Sequence, residues 1–165
     1  MIDIIFNTAV LFLNSSIALG VGTSTLAISS FLVALQDGEI DPSERRMLGV
    51  IYCVLRIAML GIIVMSSAVY MLDPKFLVGL DIYLLIIMTV LVLNAIAMTK
   101  HWISGKYGPA IQAGTWYTLG FMATIHMFEL FAIDTTTFLL FYAGDVFLAY
   151  FIVNGFLAYF KRNKV

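Results

Sequence analysis

Five ionisable residues lie within or beside the long apolar stretches of this sequence: Arg56, Asp81, His126, Glu129 and Asp145. A charge at the centre of a membrane helix is unfavourable by about 2.5 to 3.5 kcal/mol on insertion scales, so such residues turn inward and find partners. We therefore predict that these side chains meet in one polar pocket that binds a proton, a cation or a small polar solute. Arg56 and Asp145 are expected to pair, because a guanidinium can hold a carboxylate through two hydrogen bonds.

His126 and Glu129 are also candidate metal ligands. They are three residues apart, a spacing that projects both side chains from one face of a helix and occurs in metal-binding helical bundles. With Asp81 and Asp145 they could supply four nitrogen and oxygen ligands, a set that suits zinc, manganese or iron. The sequence lacks the second Glu-x-x-His motif of a di-metal bundle, so no cofactor is predicted and a divalent metal stays an alternative.

Haem binding and catalysis are further alternatives. The chain has two histidines, and His101 is expected at the opposite membrane boundary from His126, too far for one haem held by both. A redox site with His126 as its one ligand, or a haem site formed by two copies of the chain, remains an alternative. The nine methionines are interpreted as packing residues rather than a copper path. No nucleophile–base pair or phosphate-binding glycine loop occurs, so we expect that the protein is not an enzyme.

The composition is that of a membrane protein. Apolar residues make up 62% of the chain and charged residues 12%, against about 25% charged in soluble domains. Five apolar segments nearly fill the 165 residues, which predicts one membrane domain over 1–165. The net charge of -1 and the short basic tail argue against nucleic acid as a partner. We expect a multi-pass protein of a prokaryotic cytoplasmic (inner) membrane, linked to transport.

The apolar segments predict an all-α protein, because a helix satisfies its own backbone hydrogen bonds in lipid. Five transmembrane helices are predicted at about 4–35, 47–72, 76–99, 110–133 and 137–160. Seven Lys and Arg residues fall on one side and one on the other, which predicts an outside N-terminus and a cytoplasmic C-terminus. Short polar turns predict two antiparallel hairpins, helices 2–3 and 4–5, packed with a long first helix.

The first helix carries small residues at a four-residue spacing, Ser16, Gly20 and Ser24. Such a face lets another helix approach closely. It predicts helix packing, either within the chain or with a membrane partner or a second copy. A structural or accessory subunit, whose buried ion pairs only fix helix packing, is therefore the alternative function.

The connection before the second helix contains Gly38, Asp41 and Glu44. Their spacing matches half of a calcium-binding loop, but the other ligand positions fall on apolar residues. A structural interpretation accounts for all three residues. Gly38 is predicted to end helix 1, and Asp41 and Glu44 to form a capping box at the start of helix 2.

Overall fold

The computed structural model describes residues 1–34, 41–77, 81–104 and 107–162, and that part of the chain is all-helical. The predicted all-α class is confirmed. A short 3-10 helix, Pro74–Leu77, precedes the third α-helix. The five α-helices are α1 (Ile2–Ala34), α2 (Pro42–Leu72), α3 (Asp81–Thr99), α4 (Gly108–Met127) and α5 (Thr135–Arg162).

Four of these helices are long and apolar enough to cross a membrane, which makes the chain a multi-pass membrane protein. Large apolar side chains stay exposed along them, as lipid-facing surfaces require. α4 is not in this set, because Gln112, Thr115 and Thr118 interrupt its apolar character. The candidate spans are Ile2–Val33, Pro42–Leu72, Ile82–Thr99 and Thr135–Phe156.

α4 forms the centre of the bundle. It packs along α5 and also contacts α1 and α3. Trp116, Leu119 and Met122 are at most 1% exposed. A helix enclosed by other helices has little lipid-facing surface to keep apolar, and its glycines and threonines allow the close approach that holds membrane helices together.

Small residues mark the points where the helices touch. A Cβ added at Gly20 would overlap the Trp116 ring, so α1 meets α4 there, and one added at Gly61 would lie 2.5 Å from Ser16 Oγ, where α1 meets α2. Ser24 is also buried. The small-residue face of α1 is thus occupied within the chain, and a partner at this helix would have to use another face.

Several helix ends differ from those expected. α2 begins at Pro42, five residues early, because Asp41 is its N-cap and forms a capping box with Glu44. α3 begins at Asp81 instead of 76, since Pro74–Leu77 forms a 3-10 turn first. Gly38 lies outside the described residues.

The described contacts place α2 mainly against α1, and α3 mainly against α4. α4 and α5 pack along each other, as two helices of a hairpin would. Close packing of α2 on α3 is not among the main helix contacts in the described chain. The complete two-hairpin arrangement and the side of the membrane that each end faces stay predictions.

Candidate functional site

A cavity of about 730 Å³ opens at the end of the bundle where α4 ends and the 3-10 helix precedes α3. Its wall follows α1 from Val10 to Ile17, about 10 Å along the helix axis. Ile17 is 5% exposed and marks the deep part, whereas Glu129 is exposed at the mouth. The polar side chains in the lining come from separate elements and are Asn14, Lys75, His126 and Glu129.

His126 stands in the last turn of α4 and is half-buried. Its imidazole meets the Phe76 ring edge-on, with the ring centroids 5.2 Å apart, and Phe76 meets Phe6 in the same way at 5.2 Å. These contacts tie α4 to the 3-10 helix and to α1. Aromatic packing rather than a carboxylate therefore positions the imidazole on the cavity wall.

Glu129 lies beyond the end of its helix, contrary to the prediction that α4 continues to about residue 133. α4 ends at Met127, and Glu129 adopts a left-handed backbone with φ of 48°. The Leu130 N–H donates to the Ile125 carbonyl at 3.1 Å, and the Glu129 N–H donates to the His126 carbonyl at 3.3 Å. This is a Schellman turn, in which glycine usually occupies the position of Glu129. His126 and Glu129 consequently do not project from one helix face as predicted, although both residues line the cavity.

Lys75 and Asn14 are cavity residues that were not among the predicted site residues. Lys75 is the one Lys or Arg on the predicted outer side, and its backbone N–H donates to the Asp73 carboxylate at 3.0 Å. Its position as the one Lys or Arg in the connections at that end was the signal available. The helical period puts Asn14 with Asn7 and Thr25 on one polar seam of the first helix, which predicts that it faces protein, but its neighbours could not be known.

Asp145 is outside the cavity, between α4 and α5. The Thr118 hydroxyl lies 2.8 Å from the Asp145 carboxyl and 2.9 Å from the Gly114 carbonyl. Gly114 allows this approach, because a Cβ there would lie 2.6 Å from the Val146 Cα. Asp145 is half-buried. Its partner is the Thr118 hydroxyl and not the guanidinium of Arg56.

Arg56 lies in a separate cleft of about 210 Å³ between α2 and α3. The structure thus does not form the predicted Arg56–Asp145 ion pair. Asp81 is the first residue of α3, and its side chain lies outside the part of the chain that is described. Of the five predicted site residues, His126 and Glu129 share a cavity, whereas Arg56 and Asp145 each lie elsewhere.

The described residues contain no group of three or more His, Cys, Asp or Glu side chains arranged to hold a metal ion. The predicted four-ligand set is dispersed, since Asp145 is not on the cavity and Glu129 is not on the helix of His126. Within the described ranges, the cavity instead combines a lysine, a glutamate, a histidine and an asparagine with an apolar wall. No family model, curated protein or solved structure matches this chain.

Proposed function

We propose that this multi-pass membrane protein binds a small polar solute in the cavity lined by Lys75, His126 and Glu129, as the binding step of transport. The observation that supports this is the cavity itself, which brings side chains of both charge signs to one apolar enclosure. Its volume of about 730 Å³ is within the range of about 300 to 1,000 Å³ that is usual for small-molecule sites.

The polar groups favour a solute that carries both charges. The Lys75 ammonium can donate to a carboxylate, and the Glu129 carboxylate can accept from an ammonium group. His126 and Asn14 can each donate and accept, which suits a neutral amide or hydroxyl. A bare cation would leave most of the cavity unfilled and would find one carboxylate among its described lining residues, so a small zwitterion fits better than an ion.

The transport part of the proposal is supported by a buried polar group deeper in the bundle. Trp116 packs on Gly20 through the Cε3, Cζ3 and Cη2 edge of its ring, about one helical turn beyond Ile17, and the indole N–H lies on the opposite edge of the ring. Its indole N–H is buried and has no hydrogen-bond partner in the described chain. A buried donor without a partner is unfavourable by about 1 to 3 kcal/mol, and a solute that moved inward could accept from it.

The distribution of basic residues gives the proposed direction. Lys75 is at the cavity end, and the other connecting and terminal basic residues are predicted on the opposite side. By the positive-inside rule the cavity then opens to the outside of a cytoplasmic membrane. Solute would enter from that side.

The test is uptake by liposomes that contain the purified full chain, with radiolabelled alanine, glutamate and lysine as zwitterionic, anionic and cationic probes. We expect uptake of alanine above that of the other two. Lys75→Gln and Glu129→Gln should each lower apparent affinity at least about tenfold, since a charged hydrogen bond contributes about 1.5 to 3 kcal/mol. Arg46→Gln is the control, because it removes a charge outside the cavity. The same apparent affinity for alanine in all three variants, or no uptake of any probe, would contradict the proposal.

The structural-subunit alternative is favoured by one observation, the internal bond between Thr118 and Asp145 at the close α4–α5 contact. If packing is the whole role, the cavity is filled by lipid or by a partner. Ala123→Cys, in a chain with Cys53 replaced by Ser, would then resist a water-soluble thiol reagent. A water-filled cavity predicts rapid labelling of that cysteine and none at Leu140→Cys, which lies on an exposed apolar surface of α5.

The redox alternative makes its own prediction. A metal or haem at His126 requires visible absorbance or stoichiometric metal in the purified protein. A colourless preparation without bound metal would exclude it.

A further inference from the structure

A second cleft opens sideways between α2 and α3, away from the cavity. It has a volume of about 210 Å³ and an apolar wall that includes Leu55 and Met59. Arg56 and Tyr52 line it and are exposed, and because α2 is a candidate membrane span, that exposure is toward lipid. The cleft therefore presents a cation to the bilayer.

Arg56 has no counter-charge within the described residues. No carboxylate among the described residues forms an ion pair with Arg56. Asp145, the partner predicted from the sequence, instead accepts a hydrogen bond from Thr118. Asp81 starts α3, about 21 Å along the helix axis from Ala95, which lines the cleft. An arginine left in this position in a membrane favours an external anion.

The cleft also contains a neutral donor held in place. Gln112 is 9% exposed and lines the cleft, and its side-chain oxygen accepts from Asn94 Nδ2 at 2.9 Å. Asn94 is itself fixed by donation to the Gly108 carbonyl at 3.0 Å. With its oxygen engaged, Gln112 keeps its amide nitrogen available to donate to a ligand.

The position along the helices puts the mouth of the cleft near a membrane boundary. α2 has 31 residues and a length of about 46 Å, well beyond the roughly 30 Å of hydrocarbon, so its first turns extend past the core. Thr99, the last residue of α3, lines the cleft, and the exposed Trp102 follows it, as is typical of an interface. Arg56 shares the cleft with Thr99 at the end of α3, so its long side chain can reach the headgroup level there.

We propose that this cleft binds one anionic phospholipid, with its phosphate on Arg56, Tyr52 and Gln112 and an acyl chain along Leu55 and Met59. The guanidinium supplies paired donors that match two phosphate oxygens. Lipid is the occupant because the cleft opens toward the bilayer, is lined by both a cation and apolar side chains, and lies next to the headgroup layer. This site is independent of the solute cavity, which lies at the other end of α3.

The experiment is native mass spectrometry of the purified full chain, delipidated and titrated with phosphatidylglycerol or with phosphatidylcholine of the same acyl chains. The expected result is one phosphatidylglycerol retained per chain and weaker phosphatidylcholine binding. Arg56→Gln should lower the phosphatidylglycerol affinity at least about tenfold, since a charge-assisted contact is lost. Arg46→Gln, which removes the same charge from a different face of α2, should not.

Two further variants separate charge from shape. Arg56→Lys should keep the preference for the anionic lipid at lower affinity, since a lysine lacks the paired donors. Ala95→Phe should lower lipid binding by filling the cleft while the charge is unchanged. Helical content from circular dichroism confirms that each variant is folded.

Three outcomes would overturn the proposal. They are equal retention of the two lipids, binding by folded Arg56→Gln equal to that of the parent, and an equal loss in Arg46→Gln. Competition by soluble glycerol phosphate at the same concentration as the lipid would show a free-phosphate site instead of a lipid site.

Discussion

Glu129 combines an unfavourable backbone conformation with a position at the cavity mouth. A left-handed conformation is unfavourable by about 1 to 2 kcal/mol for a residue with a Cβ, and glycine avoids this. Strained residues of this kind concentrate at functional sites, where the side chain is needed for something other than stability. The proposal that the carboxylate binds solute gives Glu129 such a role.

Substitution of Glu129 should therefore separate stability from binding. Glu129→Gly is expected to be more stable than Glu129→Ala by about 1 kcal/mol, because glycine relieves the left-handed strain of the Schellman turn. Both variants should lose solute binding, since both lack the carboxylate. Thermal unfolding in detergent and alanine uptake measure the two effects. An Ala variant as stable as the Gly variant would show that the turn stores no strain.

The contribution of Asp134 to the stability of the folded protein depends on pH. It precedes α5, where the Thr137 side chain and the Thr137 N–H, at 2.7 Å, hydrogen-bond its carboxylate and lower its pKa below the ordinary 3.8. A lowered pKa in the folded state means that the stabilisation is complete above about pH 4 and is lost as the pH falls below 3.8 through the folded-state value.

The Asp134→Ser variant tests this dependence. Serine keeps an N-cap hydrogen bond but does not titrate in this range. The parent should lose thermal stability relative to Asp134→Ser as the pH is lowered from 5 to 3, as measured by circular dichroism. Parallel curves for the two proteins would rule out a role for this carboxylate.

At the scale of elements, α4 depends on close contacts with three other helices. Its burial between α1, α3 and α5 explains why its sequence is rich in glycine and threonine and why hydropathy identifies it less clearly than its neighbours. Gly114 is the tightest point against α5, since an added Cβ would meet the Val146 backbone, which cannot move as a side chain can.

Two glycine substitutions should consequently have opposite effects. Gly114→Ala is expected to destabilise the protein by about 1 to 3 kcal/mol through overpacking. Gly144→Ala, in α5 with nothing within 4 Å of the added Cβ, should be neutral or stabilise by up to about 1 kcal/mol, because alanine favours the helix. The thermal unfolding midpoints of the two variants in detergent measure this difference in stability. Similar midpoints for the two variants would contradict the close α4–α5 contact.

For the whole molecule, the arrangement of helices sets the cavity at one end and the Arg56 cleft nearer the other. Charge distribution predicts that the cavity end faces outside. In a chain with Cys53 replaced by Ser, Thr136→Cys should react with an impermeant maleimide in intact cells, whereas Ser104→Cys should react only after permeabilisation. The reverse pattern would invert the proposed direction of solute entry.

The sequence by itself determined the class of protein and most helices, because long apolar runs have few alternatives in lipid. It also predicted the capping box at Asp41 and the small-residue face of α1, since both depend on local spacing. Tertiary structure decided which polar side chains meet. Depth along a helix can be counted from the sequence, but the direction that a side chain faces depends on neighbours distant in the chain, and so Asp145 meets Thr118 while Arg56 is exposed in a separate cleft. The Schellman turn at Glu129 likewise escaped the sequence, because apolar residues continue beyond the helix end and hydropathy does not mark where the backbone turns.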